Sequence, residues 1–244
     1  MLGERLLDEA RLRVLREEFE RVFALRADPA SRVPCRSVEL DGTVYHCVYE
    51  LHRLSDAFDR LIRAPELVSM LEELTGVRRF RVLLDQVQAK PACVGGLNGW
   101  HRDMPTFPLI RPYTGITAWL ALDDATEESG CMRLVPQSHR WGEAWDIARD
   151  WGIPELPKVY HGHRVHVVAS PVPAGYVHFH HDMVWHSSGP NRTARPRRAL
   201  AIHYIDADAR HSAHALSEFT DLPFGAPMSS VLPIEVTSEG GADA

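Results

Sequence analysis

A chain of 244 residues, 45% hydrophobic and 25% charged, has the balance of an ordinary globular protein and the length to bury a sizeable core. Its formal net charge of -6, with no long basic run, argues against a nucleic-acid-binding surface. Nowhere do about 18 apolar residues run together, and the opening segment MLGERLLDEARLRVLREEFERVFAL is charged throughout, without the apolar centre of a signal peptide. No membrane association and a cytoplasmic location are therefore expected. Cys35, Cys47, Cys93 and Cys131 are scattered without a C-x-x-C pair, which fits buried, reduced thiols better than disulfides or a zinc knuckle.

In chain order, Leu6, Leu7, Ala10, Leu12, Leu15, Phe19, Val22 and Phe23 recur near helical spacing, predicting an amphipathic helix over residues 4–25. LSDAFDRLIRAPELVSMLEELTG, 54–76, predicts one or two more helices, with Pro65 in a first turn and Gly76 as a C-terminal stop. Short runs rich in β-branched or aromatic residues follow at 78–90, 114–122, 131–136, 163–169, 175–180 and 197–205, divided by Pro, Gly, Asp and Ser clusters. Strands without alternating helices predict a mainly β antiparallel sandwich or jelly roll. Segments 91–113 and 137–162 are too long for tight turns and are candidate lids, with Trp141, Trp145 and Trp151 as lid packing. One domain over 1–244 is expected: a helical part to about 77, a β core over about 78–206 and a C-terminal tail over 207–244.

GWHRDMPTF places His101 and Asp103 two positions apart. With 14 histidines in the chain, about one His-x-Asp arises by chance, and a second stands at His180-His181-Asp182, so the tripeptide alone decides nothing. Non-haem iron(II) oxygenases hold the metal by one face with two histidines and a carboxylate, leaving positions for cosubstrate and dioxygen. On a strand or its edge, residues i and i+2 point the same way, so His101 and Asp103 suit the pair, and His186 is the candidate distant ligand. If the cosubstrate is 2-oxoglutarate, its distal carboxylate needs a fixed cation, for which a guanidinium fork is suited. Arg197 shares a strand face with Ala199, Ala201 and His203; Arg198, on the opposite face, is the reserve choice.

These residues are part of a longer pattern: WHRD, ITAWLALDDATEESGCMRLVPQSH, GYVHFHHDMVWHSSGPNRTARPRRALAIHY and the lysine-proline step QVQAKP. Over roughly residues 79–206 the chain resembles the phytanoyl-CoA dioxygenase-like branch of the iron(II)/2-oxoglutarate-dependent oxygenases. The resemblance implies a double-stranded β-helix, a cupin-like jelly roll with flanking helices. It implies His101, Asp103 and His186 as catalytic iron ligands and Arg197 as the 2-oxoglutarate anchor, with Gln88 or Lys90 and Thr117 or Trp119 helping to seat cosubstrate or substrate. It implies dioxygen consumption, with succinate and CO2 as co-products of oxidising, most often hydroxylating, a small molecule such as a natural-product intermediate. Where the family has Pro-Gly-Ser-His this chain reads Pro136-Gln137-Ser138-His139, implying a different turn conformation there. Related halogenases replace the metal carboxylate by Ala or Gly; the carboxylate kept at Asp103 argues against that chemistry.

Two other classes compete. HFHHDMVWH, from His178 to His186, could bind zinc in a hydrolase through His180, Asp182 and His186, although no helical H-E-x-x-H is present. A non-catalytic jelly roll binding metal or metabolite is the other. His161, His163 and His166 are expected in strand or loop positions, Trp119 in the core, and Arg192, Arg195 and Arg198 as solvated or ion-paired. Substrate identity and oligomeric state are not legible.

Overall fold

The computed structural model describes residues 1–103, 110–111, 115–142, 155–211, 222–223 and 225–239. The first residues do not join a helix. Leu2–Arg5 form strand β1, and helix α1 spans Glu9–Leu25, burying Leu12, Leu15, Phe19 and Val22. Asp8 sets that start: its backbone is extended and its side chain accepts from Arg11 N at 2.8 Å, capping the first turn, so the helix expected from residue 4 begins later. A hairpin comes next, β2 (Cys35–Leu40) and β3 (Thr43–Tyr49), turning at Asp41 and Gly42, both at positive φ. The N-terminal part is therefore not purely helical, and Asp-Gly between alternating residues was the available signal. Helices α2 (Leu51–Leu54), α3 (Asp56–Ile62) and α4 (Pro65–Thr75) follow; Pro65 opens α4 and Gly76, at φ 72, closes it as expected.

The remaining strands are β4 (Arg79–Lys90), β5 (Asn98–His101), β6 (Ile110–Arg111), β7 (Ile116–Ala121), β8 (Met132–Leu134), β9 (Val159–Tyr160), β10 (His163–Arg164), β11 (Val168–Ser170), β12 (Tyr176–His181), β13 (His186–Ser188), β14 (Arg197–Asp206), β15 (Arg210–His211) and β16 (Glu235–Thr237). Every expected strand segment contains one of these, 163–169 being split between β10 and β11. The major antiparallel sheet runs β1-β12-β7-β14-β4-β3-β2, with β16 also on β4; the minor sheet runs β11-β8-β13-β5. Together they form the jelly roll. The C-terminal region is not wholly a tail, because Val236 pairs with Phe80 and is buried. Trp145 and Trp151, and most of the first candidate lid beyond Asp103, lie outside the described residues. No helix among the described residues is long and apolar enough to cross a membrane.

Strand alternation gives the major sheet two unlike faces. On the outer face Val87, Ala118, Leu120, Val177, Leu200 and Ile202 share one core with Leu12, Phe19, Phe58 and Leu67 of the helices. Arg198, also facing outward, is clamped by Asp123, which accepts from its Nε at 2.8 Å and its Nη2 at 2.9 Å. The inner face carries Gln86, Gln88 and Lys90 on β4, Thr117 and Trp119 on β7, His178 and His180 on β12, and Arg197, Ala199, Ala201 and His203 on β14. The helices stiffen one side of the sheet so that the other can hold polar groups. Leu200→Ala, at the buried centre of the outer face, should destabilise the protein by about 2–5 kcal/mol in urea denaturation.

Candidate metal centre

β13 pairs with β5 in a register that sets His186 directly opposite His101, their rings 4.1 Å apart between centroids. Asp103 lies just past the end of β5, its N–H donating to Asp182 O at 3.0 Å. One ligand atom from each of His101, Asp103 and His186 fits within a 4.8 Å group, and all three residues are buried. Asp103 Oδ1 is 3.7 Å from His101 Nε2 and 3.5 Å from His186 Nε2.

Hydrogen bonds behind these atoms orient them. His101 Nδ1 donates to Gly99 O at 2.8 Å and His186 Nδ1 to Val184 O at 2.9 Å, so both Nε2 lone pairs turn towards Asp103. Thr117 Oγ1 donates to Asp103 Oδ2 at 2.9 Å, which leaves Oδ1 facing the two histidines. Ser138 accepts from Trp185 N at 2.9 Å and so ties the 3-10 turn to the residue before His186. In that turn Gln137 has φ 64, the left-handed conformation a glycine adopts without strain. Here glutamine takes up that strained backbone.

The charge states suit a divalent cation. Burial lowers the pKa of both His101 and His186 to about 4, keeping them neutral at physiological pH. Burial acts against the Asp103 carboxylate, but His186, His203 and His180 outweigh it and hold its pKa well below the usual range. Two neutral imidazoles and one carboxylate, converging by one face, are the donor set of a facial iron(II) site, so the residues fit the metal.

At the other end of β14 the environment inverts. Arg197 is fully buried, and its Nε and Nη2 have no hydrogen-bond partner among the described residues. Its guanidinium lies 5.5 Å from the centre of the Trp119 ring, and Nη1 donates to Gln88 O at 3.4 Å. Lys90, also fully buried, donates to Ser188 O at 3.1 Å and to Gly189 O. Burial, then Arg197 and Arg133, pushes its pKa well below the ordinary lysine value. Trp119 Nε1 donates to Gln88 Oε1 at 3.2 Å. A buried guanidinium with two nitrogens unanswered among the described residues, beside the buried Lys90, fits the distal carboxylate of a dicarboxylate ligand.

Between the two ends a cavity is lined by Gln88, Thr117, Trp119, Met132, Ala201 and His203, with Asp103 and His186 at one side. Of the residues singled out in the sequence, the structure places His101, Asp103, His186 and Thr117 at one end, Arg197 and Lys90 at the other, and Gln88 and Trp119 between. Sequence reasoning did not single out Asp182 as a neighbour of Asp103, nor Gln86, whose Nε2 lies 3.4 Å from His203 Nε2. The His178–His186 cluster is not a self-contained site: among the described residues, both groups able to gather a metal include Asp103. His181 stacks on His139 and accepts from Met183 N, away from His180. Cys47 and Cys131 are buried, but Cys35 and Cys93 are exposed, against the expectation of four buried thiols. His161, His163 and His166 are exposed, His163 stacking on Trp141.

The family model described as phytanoyl-CoA dioxygenase (PhyH) matches residues 2–199. The chain belongs to the phytanoyl-CoA dioxygenase family. A probable alpha-ketoglutarate-dependent hypophosphite dioxygenase of Stutzerimonas stutzeri is 30% identical over 165 residues, 65% of this chain and 56% of that protein. The human peroxisomal phytanoyl-CoA dioxygenase is 23% identical over 224 residues, 84% of this chain and 64% of that one. The chain therefore spans less than two thirds of the length of these relatives. Among solved structures, the non-heme alpha-ketoglutarate-dependent epimerase SnoN from nogalamycin biosynthesis is 25% identical, with TM-score 0.73 and coverage of 93% of this chain and 89% of that one. SnoN is also known in complex with Fe3+, alpha-ketoglutarate and nogalamycin RO, and at that structure the TM-score is 0.72, with 25% identity and 93% and 90% coverage. The donor group of His101, Asp103 and His186 and the buried Arg197 fit iron and 2-oxoglutarate, ligands of the SnoN complex.

Two outcomes are expected. Thr117→Val, which releases Asp103 Oδ2, should weaken iron(II) binding about 10–100-fold in a metal titration, with folding retained by circular dichroism. The metal-free protein should also lose thermal stability as pH falls from about 6.5 to about 4.5. His101, His178, His180, His186 and His203 all have pKa values lowered by burial, to about 4 for His101 and His186, so as pH falls below the unfolded value near 6.5 the unfolded chain binds more protons. Asp182, raised by burial and by Asp103, acts in the opposite sense, but one carboxyl is outweighed by five imidazoles. A melting temperature independent of pH across that window contradicts the account.

Proposed function

We propose that this protein is an iron(II)- and 2-oxoglutarate-dependent dioxygenase that oxidises, most simply by hydroxylation, a C–H bond of a small organic molecule. The observation that carries the reading is the inner face of β14, which joins a buried, unanswered guanidinium at Arg197 to the donor group of His101, Asp103 and His186 through the small side chains of Ala199 and Ala201.

Iron with 2-oxoglutarate supplies dioxygen-dependent oxidation of unactivated C–H bonds, leaving succinate and CO2. His101, Asp103 and His186 would hold the metal by one face and leave the side towards the cavity open. Arg197 and Lys90 would hold the distal carboxylate of the cosubstrate, fixing its length along β14. Gln88 and Trp119, hydrogen-bonded to each other, wall the space between. Ala199 and Ala201 leave room there, and the buried aromatic and aliphatic lining excludes water from the reacting end.

A natural-product intermediate is the favoured substrate class. The support is the likeness to SnoN, an epimerase from nogalamycin biosynthesis known in complex with nogalamycin RO, at 25% identity over 93% of this chain. No coenzyme A motif is readable in the sequence.

Anaerobic addition of Fe(II) and 2-oxoglutarate to the metal-free protein should produce the weak visible charge-transfer band of the chelate, and His186→Ala should abolish it. Absence of the band in the wild type, with zinc found on purification, would turn attention to hydrolytic chemistry. Arg197→Ala should weaken 2-oxoglutarate binding by about 100-fold while leaving Fe(II) affinity within a few-fold, because a charge-assisted bidentate contact is lost far from the metal. Succinate release stimulated by one member of a panel of polyketide-like and other small organic molecules then identifies the substrate class.

A further inference from the structure

We propose that Tyr45 is a further donor to the distal carboxylate of 2-oxoglutarate, beside Arg197 and Lys90. The inference rests on the oxygenase reading above. Across three adjacent strands these residues stand side by side. Arg197 on β14 pairs directly with Lys90 on β4, and the register His46 to Ala89 and Cys47 to Gln88 continues to place Tyr45 of β3 opposite Lys90. The Lys90 ammonium lies 5.3 Å from the centre of the Tyr45 ring.

The Tyr45 hydroxyl is buried at 5% residue exposure and has no hydrogen-bond partner among the described residues. Its neighbour on the same face is the Cys47 thiol, which acts on its ionisation but offers only a weak sulfur acceptor. Burial raises its pKa well above the ordinary phenol value, so it remains a donor across the physiological range. A buried hydroxyl of this kind requires a strong acceptor, and among the described residues no oxygen reaches it. Asp123, the acid that acts on Arg197, is already engaged by Arg198 on the other side of the sheet.

Donor and acceptor numbers match. An ionised carboxylate offers about four lone-pair sites. In a bidentate contact Arg197 supplies one N–H from Nε and one from Nη2, and Lys90, with two of its three protons committed to Ser188 O and Gly189 O, supplies one more. Tyr45 supplies the fourth. Its place on β3 puts this contact on a hairpin that precedes the rest of the site in the chain.

The test compares two 2-oxo acids that differ at the distal end. Wild type, Tyr45→Phe and Tyr49→Phe, each loaded with Mn(II), are titrated calorimetrically with 2-oxoglutarate and with 2-oxobutyrate, which lacks the distal carboxylate. Tyr45→Phe should bind 2-oxoglutarate about tenfold more weakly and 2-oxobutyrate within about twofold of wild type, while Tyr49→Phe changes neither. Equal affinity of Tyr45→Phe and wild type for 2-oxoglutarate overturns the proposal, as does an equal loss for both acids, which would mark general damage to the sheet. A wild type that takes up Mn(II) but binds no 2-oxoglutarate overturns the oxygenase reading, and this one with it.

Discussion

Arg197 sits fully buried with two of its guanidinium nitrogens unanswered among the described residues, a position that penalises the charged form by several kcal/mol in a protein interior. The surrounding structure is organised to sustain that penalty. The helical layer and the outer face of the major sheet supply a continuous apolar core, and that stability allows the inner face to carry uncompensated polar groups. Stability and function are thus divided between the two faces of one sheet, and period-2 alternation keeps them apart.

The opposite end of β14 has the complementary problem. Five imidazoles and two carboxyl groups crowd into a volume from which water is largely excluded, and burial drives the imidazoles to their neutral form. Neutral imidazoles are ligands, whereas protonated ones are not, so the same desolvation that costs stability prepares the donor set. Cationic groups dominate one pole and anionic capacity the other, which orients a molecule carrying a carboxylate at one end and a metal-chelating group at the other.

Much of this was legible in the residues. Alternation along RRALAIHY assigned Arg197 inward and Arg198 outward, because a strand buried on both faces still declares its polar positions by their parity. His101 and Asp103 stood out through spacing. The β2–β3 hairpin and the short strands β5 and β13 were harder to see: NGWH and HSS are too brief and too polar to show a period, and their pairing comes from partners far along the chain. The start of α1 is not legible from periodicity, because Leu6 and Leu7 fit a helical period, while a capping aspartate two residues before Ala10 decides where the backbone turns. Asp182 and Gln86 carry no local signal at all, since their roles depend on which strands become neighbours.

Thr117 stands at the junction of this arrangement, within hydrogen-bonding reach of Asp103, Asp182 and His203. A hydroxyl has one proton. If that proton goes to Asp103 Oδ2, the contact at 2.9 Å to His203 Nδ1 requires the ring to donate, and His203 is then the Nδ1-protonated tautomer with Nε2 accepting from Gln86. The direction of every bond in the chain from Gln86 through His203 and Thr117 to Asp103 is thereby fixed, without any group changing its charge. Asp182, left outside this sequence, is the group whose surroundings favour retaining its own proton. A polar network with a single allowed sense of donation cannot reorient piecemeal, and Asp103 is held with one oxygen committed to the protein and the other turned to the site.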